Sequence, residues 1–578
     1  MQKRWRVAET VPFESLQIFG EESPLVGQLL WNRGIRSKEQ AQTFFEPSWE
    51  RDVHDPFLFR QMREAIARVV QALANNERIT VHGDYDADGI TGSTLLLTVL
   101  KELKEKSQSD SVLDYYIPHR DKEGYGLNFE TVTKLKERGT QLMITVDCGI
   151  ASVDEIAAAR ATGMDVIVVD HHQFGERLPD AILIHPGLPG ETYPFVKLAA
   201  VGVAFKFGCG LLTDARERGL MIATGFEKWL LDLAAIATVT DMVPLVGENR
   251  VLLSYGLKVL NKTRRLGLRM LLETAGVEGE LDVQTIGFMI GPRLNAAGRM
   301  DHAELALRLM LSENEEEARG LARDLERCNR DRQEATKKMM VEAEEKLTEG
   351  EMPKVLLFFD ERWSPSLVGL LAGKFMDRFA RPVAVVGKHE QRWIGSGRSM
   401  GAFDITSAVR TAGEGLLTRI GGHIQACGFS LEKDENVLLL RDRLTERGNE
   451  LLKDEDLIPL IDVDATVSLE QWSWPLLERI LGLKPFGEGN RQPVFLAPQC
   501  MVVKADTVGQ NAAHLRLQLL AKDGRRFKGI MFKAGARLSE VTVGRFLDIV
   551  YHVDAHEWNG RRDIECKLLD FRVDAVGS

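Results

Sequence analysis

Short apolar runs separated by helical stretches occupy the chain from about residue 78 to residue 241. The runs cover residues 79–81, 142–146, 166–169 and 181–184, and a helical stretch at about 90–104 follows the first. Strands without polar alternation are typical of a parallel sheet that helices cover on both faces. This region therefore predicts an α/β fold with a doubly covered parallel sheet.

Two regions after this sheet have different patterns. Residues 312–350 are rich in Glu, Arg, Lys and Ala, lack proline, and place Leu321, Leu325 and Cys328 at helical spacing. These features predict a long, charged connecting helix. A second α/β unit begins with the apolar run 355–359 and extends to about residue 450. The first sixty or so residues mix short helical and turn signals and predict little.

The tail, from about residue 462, is rich in β-type patterns. Its runs are 501–504, 514–520, 527–532, 546–553 and 564–573, with turn signals at Asp523-Gly524 and Asn559-Gly560. Five short strands favour a small OB-like barrel. The predicted division is an N-terminal segment 1–65, an α/β core 66–310, a connecting helix 311–350, a second α/β domain 351–455 and an OB-like domain 456–578.

Composition limits the class of protein. The chain has 578 residues, of which 44% are hydrophobic and 28% charged, as expected for several globular domains. No run approaches the roughly 20 uncharged apolar residues of a membrane helix, and the basic N-terminus lacks a following apolar stretch. A cytoplasmic location without membrane association is therefore expected. The six cysteines are far apart without a CxxC pair, which favours buried free thiols over disulfides or a zinc ribbon.

Acidic and imidazole side chains follow three of the predicted strands. They are His82, Asp84, Asp86 and Asp88 after the first, Asp147 after the second, and Asp170, His171 and His172 after the third. The carboxyl ends of parallel strands meet in one crevice. Carboxylates gathered there repel one another unless cations neutralise them. Carboxylate with imidazole suits Mn²⁺, Mg²⁺ or Zn²⁺, and a pair of such ions is the usual clamp for phosphoryl hydrolysis.

Single members of this set also fit roles other than a catalytic metal site. Asp170 fits a helix N-cap, as a lone Asp after a strand often does. Asp84, Asp86, Asp88 and Gly89 imitate a calcium loop, although no helix precedes them and Gly92 occupies a later ligand position. The net charge of −11 argues mildly against a surface coated with DNA-binding charge, but a local basic groove stays compatible with it.

Asp170-His171-His172 resembles the signature triplet of the DHH phosphoesterase family. His82 with Asp86 and Asp88 matches the first motif of that family, Asp147 the second and Asp241 the fourth. Within the family the chain is similar to the RecJ exonucleases over nearly its whole length, from a DHH core through a connecting helix and a DHHA1 domain to an OB-like tail. The phrases that carry this likeness are His82–Gly89, Ile117–Arg120, Glu123–Gly126, Gly291–Arg299, Gly395–Ser399 and Gly421–His423.

The resemblance implies two divalent cations, Mn²⁺ or Mg²⁺. The implied ligands are His82, Asp86 and Asp147 for one cation and Asp88, Asp147, His171 and Asp241 for the other. His172 would contact the nucleophilic water or the scissile phosphate, so that Asp147, His171 and His172 are the expected catalytic residues. Asp84 stays open as a ligand, as a carboxylate that orients His82, or as a turn residue.

Arginine offers a planar fork for phosphate oxygens. Arg299 follows a glycine in a stretch that predicts a loop before a helix near Asp301, and Arg398 with Ser396 lies in a predicted Gly/Ser-rich turn. Isolated arginines are usually solvated surface charges, but glycine neighbours permit close backbone approach to a ligand. The resemblance implies that Arg120, Arg299, Ser396 and Arg398 bind strand phosphates, some of them the 5′-terminal one. It also implies that His423, after Gly421-Gly422, faces the metals.

The OB-like tail is expected to supply a groove that follows the strand. Its basic candidates are Arg525, Arg526, Lys528 and Lys533. Phe527 and Phe532 are candidates for base stacking, which contributes roughly 1–3 kcal/mol per base. At least one of the two phenylalanines is expected to belong to the barrel core instead.

The resemblance implies a 5′→3′ exonuclease that degrades single-stranded DNA to 5′-mononucleotides in recombination and repair. A monomer is expected, with a single-strand-binding protein and a helicase as implied partners. One alternative is a DHH phosphodiesterase for short oligonucleotides or cyclic dinucleotides, which would lack the OB-like domain. Another is a non-catalytic DHH-fold replication scaffold, which would lack acidic ligands that this chain retains.

Overall fold

The computed structural model describes residues 3–20, 23–347, 352–401, 403–558 and 561–573. The predicted turn at Asn559-Gly560 and the end of the predicted connecting helix, residues 348–350, lie outside this part. The chain forms two compact units, one of Met1–Asp52 with Ile458–Ser578 and the other of Val53–Leu457. Among the described residues, no helix combines the length and the apolar character that a bilayer crossing requires.

The N-terminal segment consists mainly of short helices. Its elements are β1 (Arg4–Val7), α1 (Phe13–Leu16), α2 (Pro24–Asn32), α3 (Lys38–Phe45) and α4 (Trp49–Asp52). Helix α3 begins after Ser37, whose side chain accepts a hydrogen bond from the Gln40 N–H, as a good N-cap residue does.

The larger unit begins with the predicted parallel sheet. Its first elements are α5 (Met62–Ala74), β2 (Arg78–His82), α6 (Ala87–Ser107), β3 (Val112–Tyr116), α7 (Arg120–Glu123), α8 (Phe129–Glu137), β4 (Leu142–Val146), α9 (Val153–Ala161), β5 (Asp165–Val169) and β6 (Ile182–Ile184). The strands pair in parallel in the order β3-β2-β4-β5-β6. The α/β prediction is confirmed. Strand β3 was not predicted, since its half-exposed residues form no continuous apolar run.

A group of helices follows the sheet. They are α10 (Ala200–Glu217), α11 (Leu231–Thr240), α12 (Gly247–Leu260), α13 (Leu266–Thr274), α14 (Val283–Thr285), α15 (Gly291–Met300), α16 (Glu304–Leu311) and α17 (Glu315–Glu345), with a π-helical turn at Ile286–Ile290. Helix α17 is the predicted connecting helix, capped by Asn314. The loop predicted around Arg299 was wrong, because Arg299 lies in the last turn of α15, and the next helix begins at Glu304.

The second α/β part contains a mixed sheet. Its elements are β7 (Leu356–Asp360), α18 (Pro365–Phe379), β8 (Val383–His389), β9 (Arg392–Arg398), α19 (Ile405–Ala412), β10 (Leu417–His423), β11 (Ala426–Leu431) and α20 (Asp434–Leu451). The strand order is β10-β11-β9-β8-β7, with only the β7–β8 pairing parallel among the described strands.

The predicted turn at Ser396 and Arg398 was wrong, because both residues lie in strand β9. The neighbouring glycines make room for packing instead. A Cβ at Gly395 would lie 2.2 Å from Phe429 Cζ, and one at Gly397 would lie 2.7 Å from Cys427 Sγ. Glycine here reflects close sheet packing, which local sequence patterns do not distinguish from a turn.

The last elements form a barrel. They are β12 (Leu460–Val463), β13 (Ala465–Thr466), α21 (Trp474–Leu481), β14 (Phe495–Val508), β15 (His514–Leu520), β16 (Arg526–Met531), β17 (Phe546–Trp558) and β18 (Arg561–Val573). Strand β14 pairs with both β15 and β17, which closes the ring, and β16 pairs with β18 in parallel. The OB-like prediction is confirmed, although several strands are longer than their apolar runs.

The N-terminal segment belongs to the same unit as the barrel. Strand β1 pairs in parallel with β12, and Leu16, Val26 and Leu29 share one apolar core with barrel residues. Phe527 is part of this core, whereas Phe532 is 57% exposed. The expectation that at least one of these phenylalanines is structural is therefore confirmed.

Candidate functional site

The loop after β2 turns directly into helix α6. Asp86 is the N-cap, and its Oδ1 accepts hydrogen bonds from the Asp88 N–H at 2.9 Å and the Gly89 N–H at 3.2 Å. The Ala87 N–H donates to Asn295 Oδ1 of α15 at 2.7 Å. A Cβ at Gly89 would lie 2.6 Å from the Asp84 nitrogen, so the loop folds back tightly. Because the helix begins inside the acidic motif, the calcium-loop interpretation was wrong.

Asp147 follows β4 in an unusual backbone conformation. Its φ is 64°, a left-handed value that few residues other than glycine adopt. The Asp147 N–H donates to the Val169 carbonyl oxygen at 3.0 Å, and the Tyr125 hydroxyl donates to the Asp147 carbonyl oxygen at 3.0 Å. These contacts hold the turn, and strain of this kind is concentrated at functional sites.

Asp170 orients the histidine that lies two positions later. Its carboxylate accepts hydrogen bonds from the Ile150 N–H at 3.0 Å and the His171 N–H at 2.8 Å, and from His172 Nδ1 at 2.9 Å. The described residues that follow Asp170 are irregular and form no helix, so the N-cap interpretation was wrong. Asp170 is instead a buried acceptor that determines how the His172 ring is placed.

The side chains from the strand ends meet a residue from helix α11. His171 Nε2 lies 3.3 Å from Asp147 Oδ1, 3.8 Å from Asp88 Oδ2 and 3.7 Å from Asp241 Oδ2, with Asp241 at the end of α11. Three sets of potential ligand atoms each lie within 4.8 Å of one another: Asp147, His171 and His172; Asp88, His171 and Asp241; and Asp84, Asp86 and Asp147.

His82 lies two residues before Asp84 but is absent from these three sets. Its ring stacks on Tyr116, with centroids 5.6 Å apart and planes at 14°. Asp84 belongs to one set, so the geometry favours Asp84 as a ligand or as a close neighbour of one. Both Asp88 oxygens also accept backbone hydrogen bonds, from the Ala200 N–H at 2.7 Å and the Val201 N–H at 2.8 Å.

Burial and mutual repulsion disfavour negative charge in the cluster. Burial and the neighbouring carboxylates raise the pKa of Asp88 and of Asp147 well above the usual range. Burial and Asp86 raise the pKa of Asp241 to about 7. Burial also lowers the pKa of His171 to about 4, which leaves its imidazole neutral at pH 7. A neutral imidazole beside crowded carboxylates forms a donor set that fits divalent cations.

Four buried polar atoms, one on His82 and three on residues of the cluster, have no hydrogen-bond partner among the described residues. They are His82 Nε2, Asp84 Oδ1, Asp147 Oδ1 and His171 Nε2. Buried polar atoms are nearly always satisfied in folded proteins, so such a concentration needs an explanation. Cations bound between these atoms would satisfy them, and the residues therefore fit the implied metals.

The arginines predicted to bind phosphate lie near this cluster and near α18. Arg120 lies over the ring of Tyr85, with Cζ 4.8 Å from the centroid. Arg299 Nη1 donates to the Ser366 carbonyl oxygen at 2.7 Å, and the Ser366 hydroxyl donates back to the Arg299 carbonyl oxygen at 2.9 Å. Burial, with Arg120 nearby, lowers the pKa of Arg299 to about 10, so its charge persists at pH 7.

Ser396 and Arg398 contact each other on strand β9. Arg398 Nη1 donates to Ser396 Oγ at 2.9 Å, and a Cβ at Gly369 of α18 would lie 3.4 Å from Arg398 Nη2. His423 ends strand β10, is exposed, and lines a shallow cavity with residues such as Asp404 and Thr406. The structure thus brings the acidic cluster together. His423 belongs to the second sheet and is not part of this cluster.

Two of the basic candidates in the barrel have structural contacts. Arg525 donates to the carbonyl oxygens of Trp472 at 2.6 Å and Glu470 at 2.5 Å. Lys528 Nζ donates to Asp563 at 2.8 Å. These contacts weaken the case for Arg525 and Lys528 as free DNA-binding charges.

Sequence reasoning did not assign roles to several residues that build the site. Tyr125 and Asn295 lie in sequence segments on which the family resemblance was based, and this resemblance could have pointed to them. No sequence pattern pointed to Cys148 or to the N-terminus of α10. Their contacts, with His82 and with Asp88, join residues that are distant in the chain.

Comparisons with known proteins agree with this arrangement. Family models described as the DHH family N-terminal domain, the DHHA1 domain and the RecJ OB domain match residues 78–238, 352–450 and 463–570. Proteins named single-stranded-DNA-specific exonuclease RecJ are 37% identical in Bacillus subtilis, with 95% of this chain and 68% of that protein covered, and 33% identical in Escherichia coli, with 96% of each covered.

Solved structures lead to the same family. The crystal structure of RecJ with Mn²⁺ from Thermus thermophilus matches with a TM-score of 0.80 and 28% identity, over 98% of this chain and 79% of that one. A structure of exonuclease RecJ bound to manganese matches with a TM-score of 0.59 and 32% identity, over 69% of this chain and 97% of that one. The chain therefore belongs to the RecJ family.

Proposed function

We propose that the protein is a metal-dependent exonuclease that degrades single-stranded DNA in the 5′→3′ direction and releases 5′-mononucleotides. The observation that carries this proposal is the convergence of carboxylates and imidazoles around buried atoms that lack protein partners. Relatives named single-stranded-DNA-specific exonuclease RecJ support the substrate. Mn²⁺ and Mg²⁺ complexes of the Thermus protein support the choice of metal.

Two cations, Mn²⁺ or Mg²⁺, are assigned to this cluster. Their proposed ligands are His82, Asp86 and Asp147 for one and Asp88, Asp147, His171 and Asp241 for the other, with Asp84 as an additional candidate on the first. When bound, the cations neutralise the carboxylates, polarise the scissile phosphate and activate water. The close sets of ligand atoms support this assignment.

The protein side chains position the strand and hold protons. Burial opposes charge on His172, but its hydrogen bond to Asp170 and the charge of that carboxylate raise the pKa of His172. His172 is placed to donate to an oxygen of the scissile phosphate. Arg120, Arg299, Ser396 and Arg398 bind the 5′-terminal and neighbouring phosphates, and His423 approaches the strand from the second sheet.

The proposed reaction cleaves one phosphodiester bond per cycle. Water attacks the phosphorus of the second nucleotide, and the 3′-oxygen of the first nucleotide leaves. The first nucleotide is released as a 5′-mononucleotide, and the shortened strand keeps a 5′-phosphate for the next cycle. A channel too narrow for a duplex would make the preference for single strands a steric effect.

A single set of assays tests this function. The substrates are 5′-labelled single-stranded DNA, the duplex, an RNA strand and a dinucleotide, each with Mg²⁺, with Mn²⁺ and with EDTA. We expect labelled mononucleotide as the first product from the single DNA strand, and no cleavage with EDTA. Cleavage of the dinucleotide but not of long strands would instead favour an oligonucleotide phosphodiesterase.

The key variant is Asp147→Asn, since asparagine tolerates the left-handed backbone and removes only the charge. Losing a partner of a metal ligand typically costs roughly 10–100-fold, so removing the charge of a proposed ligand should lower the cleavage rate by about 100-fold or more. Asp180→Ala, which removes an exposed aspartate paired with Arg160, is the matched control and should cleave normally. Full activity of Asp147→Asn would contradict the catalytic assignment.

The cellular setting is proposed on the family likeness. The protein would act in the cytoplasm as a monomer, in DNA recombination and repair, together with a single-strand-binding protein and a helicase. The functional division along the chain is proposed as 1–65, 66–310, 311–350, 351–455 and 456–578. Size-exclusion chromatography with light scattering tests the monomer, and limited proteolysis tests the boundaries.

A further inference from the structure

A buried thiol contacts the imidazole of His82. Cys148 Sγ lies 3.5 Å from His82 Nδ1 and 3.9 Å from the His82 carbonyl oxygen. Both side chains are fully buried, and the His82 ring lies against Tyr116. The chemistry described above gives Cys148 no role, yet among the described residues its sulfur is the side-chain atom that contacts His82 Nδ1.

Two arrangements of hydrogen atoms fit the contact between sulfur and nitrogen. Either the thiol donates its hydrogen to Nδ1, or Nδ1–H donates to the sulfur. A thiol has a single hydrogen and a sulfur that also accepts weakly. Only the second arrangement uses both contacts of the sulfur, because the thiol hydrogen then donates to the His82 carbonyl oxygen while the sulfur accepts from the ring.

The surroundings of His82 Nε2, the other ring nitrogen, also favour one of these two arrangements. His82 Nε2 is buried and has no hydrogen-bond partner among the described residues. With the proton on Nδ1, Nε2 keeps a lone pair and is a ligand atom for a cation. With the proton on Nε2, it would be a buried donor without an acceptor, which is costly. The stack on Tyr116 opposes a rotation that would exchange the two nitrogens.

We propose that Cys148 is a positioning residue that holds His82 with its proton on Nδ1, so that Nε2 is free to bind a divalent cation. The inference rests on the proposed function, since it assigns a role to a proposed metal ligand. Imidazoles that bind metals usually donate their other N–H to a carboxylate or a carbonyl oxygen. A thiol in that place adds no negative charge to a site that is already crowded with carboxylates.

The proton position is tested on metal-free full-length protein with ¹⁵N-labelled imidazole rings. The His82 signals are assigned by their loss in His82→Asn, and the ¹⁵N shifts report which nitrogen carries the proton. We expect the proton on Nδ1 in the wild type and in Cys148→Ser, which keeps a donor and an acceptor. Cys148→Ala should populate both tautomers, whereas Cys209→Ala, another thiol of the same unit, should match the wild type.

Metal affinity provides the second readout. Titration with Mn²⁺, followed by electron paramagnetic resonance of the free ion, should give at least tenfold weaker binding of one Mn²⁺ in Cys148→Ala. Cys148→Ser should lie within about threefold of the wild type, and Cys209→Ala should be unchanged. Thermal midpoints of the metal-free variants identify any variant that has lost its fold.

Two outcomes would overturn the inference. One is a wild-type His82 with its proton on Nε2, a measurement that needs no folded Cys148 variant. The other is equal Mn²⁺ affinity in Cys148→Ala and Cys209→Ala. Neither measurement uses DNA or turnover, so either failure leaves the nuclease proposal standing. Failure of the nuclease itself would appear in the Asp147→Asn assay.

Discussion

Gly298→Ala should misplace the acidic loop while leaving every proposed ligand in the chain. Gly298 lies in helix α15, and a Cβ at this position would be 2.7 Å from the Tyr85 carbonyl oxygen. Ordinary contact begins at 3.4 Å. Helix and loop must therefore separate by about 0.7 Å, the difference between these two distances, because the obstructing atom is backbone and cannot rotate away.

The displaced carbonyl belongs to the residue between Asp84 and Asp86. Metal sites tolerate errors of only about 0.2 Å in ligand distance, and a misplacement of about 1 Å at a catalytic site can lower the rate about 100-fold. We therefore expect the cleavage rate of Gly298→Ala to fall about 10- to 100-fold. Its free energy of unfolding should fall by about 1–3 kcal/mol, as is typical of overpacking.

Single-turnover cleavage of single-stranded DNA at saturating Mn²⁺ measures the rate, and urea unfolding measures the stability. Gly320→Ala is the matched control, since Gly320 lies in helix α17 and an added Cβ meets nothing within 4 Å. The control should cleave normally and gain about 0.5–1 kcal/mol of stability. A Gly298→Ala rate within twofold of the wild type would refute the claim that this contact positions the loop.

Three further predictions concern the cluster and the barrel. Without metal, the contribution of Asp241 to the free energy of unfolding should decrease as the pH rises from about 4 to 7, because its folded-state pKa is raised from 3.8 to about 7 and the folded protein retains a proton that the unfolded chain loses. His171, with its pKa lowered to about 4, contributes in the opposite direction, so the comparison with the variant isolates Asp241. Asp241→Asn or added Mn²⁺ should reduce this decrease, which urea unfolding at pH 5 and pH 7.5 measures; identical pH slopes in variant and wild type would contradict the prediction. Asp170→Asn should lower the free energy of unfolding by about 2–4 kcal/mol and lower the pKa of His172, because a buried charged acceptor of several N–H groups is lost. NMR titration of His172 checks the second part, and an unchanged pKa would argue against orientation by Asp170. Trp472→Phe removes the hydrogen bond from Nε1 to the Tyr551 hydroxyl, 2.8 Å long and buried in the barrel core, and should cost about 1–3 kcal/mol of that unit's stability. An unchanged thermal midpoint would show that this hydrogen bond contributes nothing measurable.

Local pattern alone located four of the five described strands of the parallel sheet and the chemistry at its edge. Strand β4 is buried along its whole length, so four of its five residues are apolar and Thr145 is the one exception. Asp147 follows that strand directly, and the rule that parallel strands end at one edge predicted that it would meet His171. The close approach of these two side chains, 3.3 Å between ligand atoms, agrees with that reasoning.

Where local pattern failed, packing between distant residues was the reason. Glycine around Ser396 predicted a turn, yet the glycines accommodate Phe429 and Cys427 across a sheet. Glycine before Arg299 predicted a loop, yet Gly298 lets helix α15 approach the Tyr85 backbone. In both cases glycine leaves room for a residue that is distant in the chain. The sequence immediately around the glycine contains no information about that residue.

By itself, the sequence determined most of the helices and strands, the two α/β sheets, the barrel and the residues proposed as metal ligands, because periodicity and residue type are local properties. Tertiary structure alone decided the left-handed turn at Asp147, the orientation of His172 by Asp170 and the contact of Cys148 with His82. These features depend on distances between side chains that lie up to 66 residues apart in the chain, as in the last of these pairs. Such distances are set by how the whole unit packs, to within a fraction of an ångström that no sequence pattern encodes.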